Sequence, residues 1–331
     1  MLYELIKPYR SIAMIGMCKN AGKTTVLNRL IADTNSAGEI IGLTSIGRDG
    51  ESSDLVTNTK KPKIFVWCGT LFATAQQALP LGSVSREILD VTDMNTPMGN
   101  VILCKAMSDG FVQLAGPSMT VQLSRIRDEL FLLGAERVFL DGALSRKSLA
   151  MPFVSDASVL CSGASFSPDL KRTVENTAYC AMLMSLEKTK LDLSGINGKF
   201  VIAADDETVL ANTLNEAVDE LRRRKAGALL MRGGVTDAMA RVLLSGGRFE
   251  GDIELVVEDG SRLLLSKQNY DKLLIAGAHF CVINETKLLA VTVNPFSAYG
   301  THYDKSEFFD AVRQRVPDNV AVVNVLEEDE C

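Results

Sequence analysis

The chain has 331 residues, enough for two domains or for one large sheet with an appendage, and its 47% hydrophobic and 23% charged content is that of a globular protein. A formal charge of −6 speaks against the basic stripe of a general nucleic-acid binder, so no nucleic acid is expected as a partner. Its 7 cysteines are scattered without a CxxC pair and no charge-free apolar run reaches membrane-spanning length, so reduced thiols, a cytoplasmic location and no membrane partner are expected.

In chain order, "MLYELIKPYR" lacks the apolar core of a signal peptide. Ser11 to Ile15 reads as a buried strand. Thr24 to Ala32 reads as a helix, with Val26, Leu27, Leu30 and Ile31 on one stripe. "EIIGLTSIG" and "KIFVWCGT" predict two further strands, and Leu71 to Leu79 a helix that Pro80 ends. Ser108-Asp109-Gly110 is a hairpin signal between two strands. Met119, Leu123, Ile126, Leu130 and Leu133 repeat at helical spacing, with Gly134 where a helix ends. "RVFLDGA" and residues 157 to 167 follow as strands, then a helix from about Asp169 to Glu187.

Lys188 to Lys199 is polar and marks a soft boundary. Beyond it "KFVIAA", a helix over 207–225, "GALLMRGG" and a helix over 236–244 resume the alternation. Asp259-Gly260 is a second hairpin signal, and strands at "HFCVINETKLLAVTVNP" and "VAVVNVL" flank a helix over 306–315. The expected fold is α/β: a mostly parallel sheet with helices on both faces over residues 1–190, and a second α/β region over 191–331 suited to partner contact.

The stretch "GMCKNAGKTT", between the first strand and the first amphipathic helix, carries the chemistry. Phosphate binding there needs inward backbone amides, a helix N-terminus, a lysine for the β- and γ-phosphates and a hydroxyl for Mg²⁺. Gly16, Lys19, Asn20, Ala21, Gly22, Lys23, Thr24 and Thr25 supply those parts, so a P-loop for ATP is expected, with Thr24 on Mg²⁺. The spacing departs from the strict pattern, because five residues separate Gly16 from Gly22. The alternative is an ordinary strand-to-helix turn.

A second acid must hold the metal through water. Asp141 follows an apolar strand and is followed by Gly142, which lets the backbone approach a phosphate. Asp90 is the competitor. In "LTSIGRDGESSD", Asp49 or Glu51 are candidates to approach the metal or orient a water, against a plain turn. The loop "VNPFSAYGTHYD" (293–304) leaves a strand and is a candidate for a partner or ligand rather than for phosphates. "LRRRK" closes a helix as a solvated basic end.

The lengthened glycine-lysine loop resembles that of the dethiobiotin and cobyric acid synthetase group, and "KNAGKTT" also resembles molybdopterin-guanine-dinucleotide accessory proteins. Taken together, "GMCKNAGKTT", "LTSIGRDGE", "GTLFATAQQAL", "LAGPS", "LDGALSRKS", "SGASFS" and "VTVNPFSAYG" resemble the P-loop subunit of the reactivase of lysine 5,6-aminomutase, an enzyme that uses adenosylcobalamin and pyridoxal phosphate. That resemblance implies an ATPase that works with a MutS-like subunit to restore an aminomutase whose cobalamin is damaged. It supports Lys23 and Thr24 for the nucleotide and Asp141 for the metal, and assigns nothing to Arg48, Asp49 or Arg146. Neither His279 nor His302 stands in a D-x-H-x-x-G cobalamin motif, so the chain is not expected to carry the cofactor itself. The competing readings are a dethiobiotin-synthetase-like ligase and a nucleotide-binding module without catalysis.

Overall fold

The computed structural model describes residues 1–47, 63–142, 153–192, 195–204, 207–224 and 227–324. Arg48, Asp49, Glu51 and Arg146 lie outside the described residues, as does the acidic end of the chain. The chain forms two units: Met1–Ala181 together with Lys287–Cys331, and Met182–Thr286. The second unit is thus inserted between two parts of the first. A division at residue 190 with everything beyond it in a separate region does not describe this chain, because its last segment returns to the first unit.

In chain order the first unit holds α1 (Leu2–Ile6), β1 (Ser11–Gly16), α2 (Lys23–Ser36), β2 (Ile41–Ser45), β3 (Ile64–Val66), β4 (Leu71–Ala75), β5 (Arg86–Thr96), β6 (Gly99–Ala106), β7 (Gly110–Val112), α3 (Thr120–Leu132), β8 (Arg137–Asp141), β9 (Ala157–Gly163) and α4 (Leu170–Leu183). The second contributes β10 (Phe200–Ala204), β11 (Glu207–Ala211), α5 (Leu214–Arg224), β12 (Gly227–Met231), β13 (Val235–Thr236), α6 (Asp237–Leu244), β14 (Ile253–Val257), β15 (Leu263–Leu264), α7 (Lys267–Ile275) and β16 (Ala278–Val282). The chain then returns to the first unit with β17 (Leu288–Asn294), α8 (Lys305–Arg313) and β18 (Ala321–Val323).

The first unit is built on a nine-stranded sheet in the order β18-β17-β9-β1-β8-β2-β4-β6-β5. Every pair from β18 to β4 is parallel, and only β6 and β5 run against their neighbours. Strand β1 is buried along its whole length, as a central parallel strand covered on both faces must be. Ile12 and Met14 share a core with Val26, Leu27, Leu30 and Ile31 of α2 and with Leu43 and Phe139. Alternate residues point the other way. On that opposite face Gly42 leaves room for Leu130 of α3, whose Cβ would stand 3.2 Å from a Cβ at this glycine. Helices therefore cover both faces. Removing Leu27 or Leu30 to alanine leaves a cavity costing about 2–5 kcal/mol.

At the strand ends remote from Gly16, Arg137 is buried and binds Glu39 at 2.8 Å and the Ile6 carbonyl at 2.8 Å, which fixes α1 against β8. Burial pushes the Glu39 carboxyl up, but hydrogen bonds from Arg137 and Tyr3 outweigh it and hold the group below its ordinary value.

Several local expectations are corrected. Residues 71–75 form β4, not a helix, with Pro80 inside a short 3₁₀ helix over Gln76–Leu81. The segment is buried between β2 and β6, a setting in which tertiary pairing overrides a weak helical pattern. Ser108-Asp109-Gly110 does not close a hairpin between its flanking strands, since β6 pairs with β4 and β5 whereas β7 pairs with β3. Residues 207–211 are strand β11, paired antiparallel to β10, so the expected helix begins only at Leu214.

The second unit has a five-stranded sheet in the order β11-β10-β12-β14-β16, parallel from β12 to β16. Asp259-Gly260 opens a 3₁₀ turn instead of a hairpin: Asp259 accepts from the Ser261 amide at 2.8 Å. A side chain at Gly260 would collide with the Leu183 carbonyl at 1.7 Å, so only glycine fits. No helix among the described residues is long and apolar enough to cross a membrane.

Candidate functional site

Strand β1 ends in the centre of the sheet, and the chain turns sharply from Gly16 into α2. The Met17 amide donates to the Cys161 carbonyl at 2.9 Å, carrying the pairing with β9 one residue past the strand. The backbone then passes through left-handed conformations at Asn20 (φ 59°) and Gly22 (φ 95°). Asparagine is among the few side chains that accept this region, and glycine adopts it freely. Gly22 is the residue before the helix, and its carbonyl receives the Val26 amide at 3.0 Å.

The start of α2 differs from that of α3, which is also uncapped and without an acid in its first turn, by its left-handed glycine and its lysine. No side chain caps it, and its first turn, Lys23-Thr24-Thr25, contains no acid. A helix N-terminus carries partial positive charge and unpaired amides, which favour an anion and disfavour a lysine. Lys23 does not project away from the loop. Its stem lies over Gly16, so close that a Cβ there would stand 2.9 Å from Lys23 Cδ. The lysine therefore adds its charge to the concave side of the turn. Of the remaining loop residues, Lys19 is exposed, Asn20 half-buried and Ala21 buried.

Asp141 ends β8, the strand next to β1, directly opposite Met14. Its backbone is held from both sides. The Gly142 amide donates to Met14 at 2.9 Å, and the Ile46 amide donates to the Asp141 carbonyl at 3.1 Å. Asp141 as a whole is 8% exposed. Burial pushes the Cys161 thiol up to about 11, with Lys23 lowering it and Asp141 raising it, so both charges act on one buried sulfur beside β1. Asp90 lies on β5 at the far edge of the sheet. Five strand spacings of about 4.8 Å separate it from β1, roughly 24 Å, which is too far for a shared ion. Asp141 and the Thr24 hydroxyl are hard oxygen donors of the kind that suits Mg²⁺ when phosphate oxygens and water complete an octahedron. Among the described residues no cluster of three or more His, Cys, Asp or Glu could hold a metal. Burial also raises the Cys18 thiol to about 11, against a lowering by Lys23, so this loop cysteine is no thiolate at neutral pH.

Two residues that the sequence showed only within longer stretches, "LAGPS" and the 293–304 loop, complete the geometry. Gly116, in "LAGPS", donates to Gly47 at 3.2 Å, and a Cβ there would overlap the Ser45 carbonyl at 1.6 Å. It lets this segment close over the end of β2, beside Asp141. Asn294, the last residue of β17, lies against the β1–α2 turn: its Nδ2 is 3.4 Å from the Asn20 carbonyl, and its Cβ would be 3.3 Å from a Cβ on Gly22. Its own carbonyl accepts from Ala164 at 2.9 Å. A side chain at Gly163 would meet Asn294 O at 3.1 Å and Ala21 Cα at 3.3 Å. The loops after β1, β9 and β17 thus converge at the carboxyl ends of parallel strands, where open α/β sheets bind ligands. The only signals for Asn294 in the sequence were its place at a strand exit and the polar loop behind it.

Comparison with protein-family models, with curated proteins and with solved structures returned no match.

Proposed function

We propose that the Gly16–Thr25 turn is a P-loop that holds Mg²⁺ and ATP, and that hydrolysis is used to change the state of a partner protein. The observation that carries this reading is the combination at one strand end of left-handed Gly22, an uncapped helix start and a lysine folded over Gly16. Amides of residues 20–25 and the Lys23 ammonium bind the phosphates, which places fixed dipoles and a full charge on the developing negative charge of the transfer. Thr24 and Asp141 would hold Mg²⁺, which would supply neutralisation of the phosphate charge. Gly142 leaves the backbone free to approach. The motif resemblance names the partners: a MutS-like subunit, and a lysine 5,6-aminomutase whose spent cobalamin is exchanged.

The test mixes cyanocobalamin-blocked aminomutase with both reactivase subunits, Mg²⁺, ATP and adenosylcobalamin. Activity returns with ATP and the parent chain, and does not return with Lys23→Ala. ATP turnover that follows a small carboxylate, with no recovery of the aminomutase, favours the ligase reading instead. Because coupling between two sites is reciprocal, the blocked client and the MutS-like subunit raise nucleotide affinity by the factor by which nucleotide raises theirs.

A further inference from the structure

The loop that leaves β17 contributes more than Asn294. Its backbone is tied down along its length. Phe296 N donates to Asn294 Oδ1 at 3.1 Å, Ser297 N to His302 Nδ1 at 3.1 Å, Ala298 N to Ser165 Oγ at 3.2 Å and Tyr303 N to the Pro295 carbonyl at 3.0 Å. Tyr303 closes it from below, sharing a hydrogen bond of 2.8 Å with Thr173 of α4 and donating to the Ser167 carbonyl. A loop held this firmly has no need of apolar groups at its surface, yet Phe296 is 47% and Tyr299 52% exposed. Phe296 is presented in a fixed frame, edge-on to His302 at 5.6 Å between ring centroids and with Lys305 Nζ 6.0 Å from its own centroid.

Phe296 stands two residues beyond the asparagine that touches the phosphate-binding turn. We infer that the Asn294–Tyr303 loop seats the base of the nucleotide, with Phe296 as the stacking surface. This rests on the P-loop reading, which it extends from the phosphates to the other end of the same ligand. The chemistry fits the two ends separately: amides and a lysine for anions, an aromatic ring beside cationic and imidazole groups for the π-face of a base. Asn294 joins them, because it touches Asn20 and Gly22 on one side and carries the Phe296 amide on the other.

Isothermal titration with two probes, Mg²⁺-ATP and inorganic tripolyphosphate, tests the assignment. Stacking of one base on one ring is worth about five- to a hundredfold in affinity. Phe296→Ala weakens ATP by about tenfold or more and leaves tripolyphosphate within twofold, while Phe296→Tyr restores ATP binding. Lys23→Ala weakens both probes together. An unchanged melting temperature shows that Phe296→Ala is folded, as its exposure leads one to expect. Equal ATP affinity in parent and Phe296→Ala, or equal loss of both probes in that variant, overturns the base seat and leaves the P-loop reading standing. Failure of the parent to bind either probe overturns both.

Discussion

Helix α2 of the first unit and helix α5 of the second begin in opposite ways. In the second unit α5 is closed by its own sequence: the Glu216 amide donates to Thr213 Oγ1 at 3.2 Å, and the Glu216 carboxylate accepts from Thr213 N at 3.3 Å and Asn212 N at 3.0 Å. This reciprocal capping satisfies the orphan amides and places a negative charge at the positive end of the dipole. In the first unit α2 starts at a left-handed glycine with a lysine, two threonines and no acid. What α5 obtains from its own chain, α2 does not; under the proposed function an anion from solution takes that place. The same difference appears at α7 and α8, whose starts are capped by Ser266 and Asp304.

The comparison can be broken most strongly at Lys23. Lys23→Ala is expected to weaken Mg²⁺-ATP binding by at least about a hundredfold, the value of a lost charge-assisted contact, measured by calorimetry. The melting temperature without nucleotide stays the same, since the side chain spans the loop and not the core. A parallel loss of fold and binding would show that the lysine holds structure.

Asp141→Asn keeps shape and loses the charge that orders the metal. Nucleotide binding is expected to survive in part, while the hydrolysis rate, read by phosphate release, falls by about a hundredfold. The matching Asp90→Asn variant turns over normally.

Gly22→Ala tests the backbone itself. A Cβ at φ 95° and 3.3 Å from Asn294 strains the turn, and forcing an ordinary residue into left-handed backbone costs about 1–2 kcal/mol in chemical unfolding. Nucleotide affinity falls with it. Thr213→Ala at the start of α5 is expected to cost a similar sum, about 1 kcal/mol, and to leave nucleotide affinity untouched.

The smallest effect is the sharpest test of the contrast. Thr25→Glu gives α2 the acid that α5 already has. It is expected to raise the nucleotide-free melting temperature by about 1–3 °C through the helix dipole. It also weakens ATP by placing a competing charge where the phosphates belong. A variant that binds ATP as the parent does would mean that this helix end is not the anion site.

The order of elements along the first unit was legible because a central parallel strand is buried along its length and reads as a mainly apolar run, as β1, β8 and β9 do. The strand-to-helix turn at Gly16–Thr25 was legible as well, because the glycine, lysine and hydroxyl groups that the proposed anion binding needs sit close together in the chain. Asp141 was readable as a polar residue at the end of an apolar strand, but Asp90 satisfied much of that description too. Only the strand order separates them, since it puts β8 beside β1 and β5 at the far edge.

Segments such as 71–75 and 207–211 carried mixed signals, and each took the form that its neighbours could hydrogen-bond. The sequence by itself determined the composition of the Gly16–Thr25 turn, the apolar strand that leads to it and the helix that follows. The tertiary structure decided which distant residues stand beside that turn. It inserted Met182–Thr286 between two parts of one sheet and brought β17 back next to β9. Asn294 therefore reaches a loop that precedes it by most of the chain. Spacing along a sequence records what neighbouring residues require of one another, whereas strand order is fixed by which faces can be buried together.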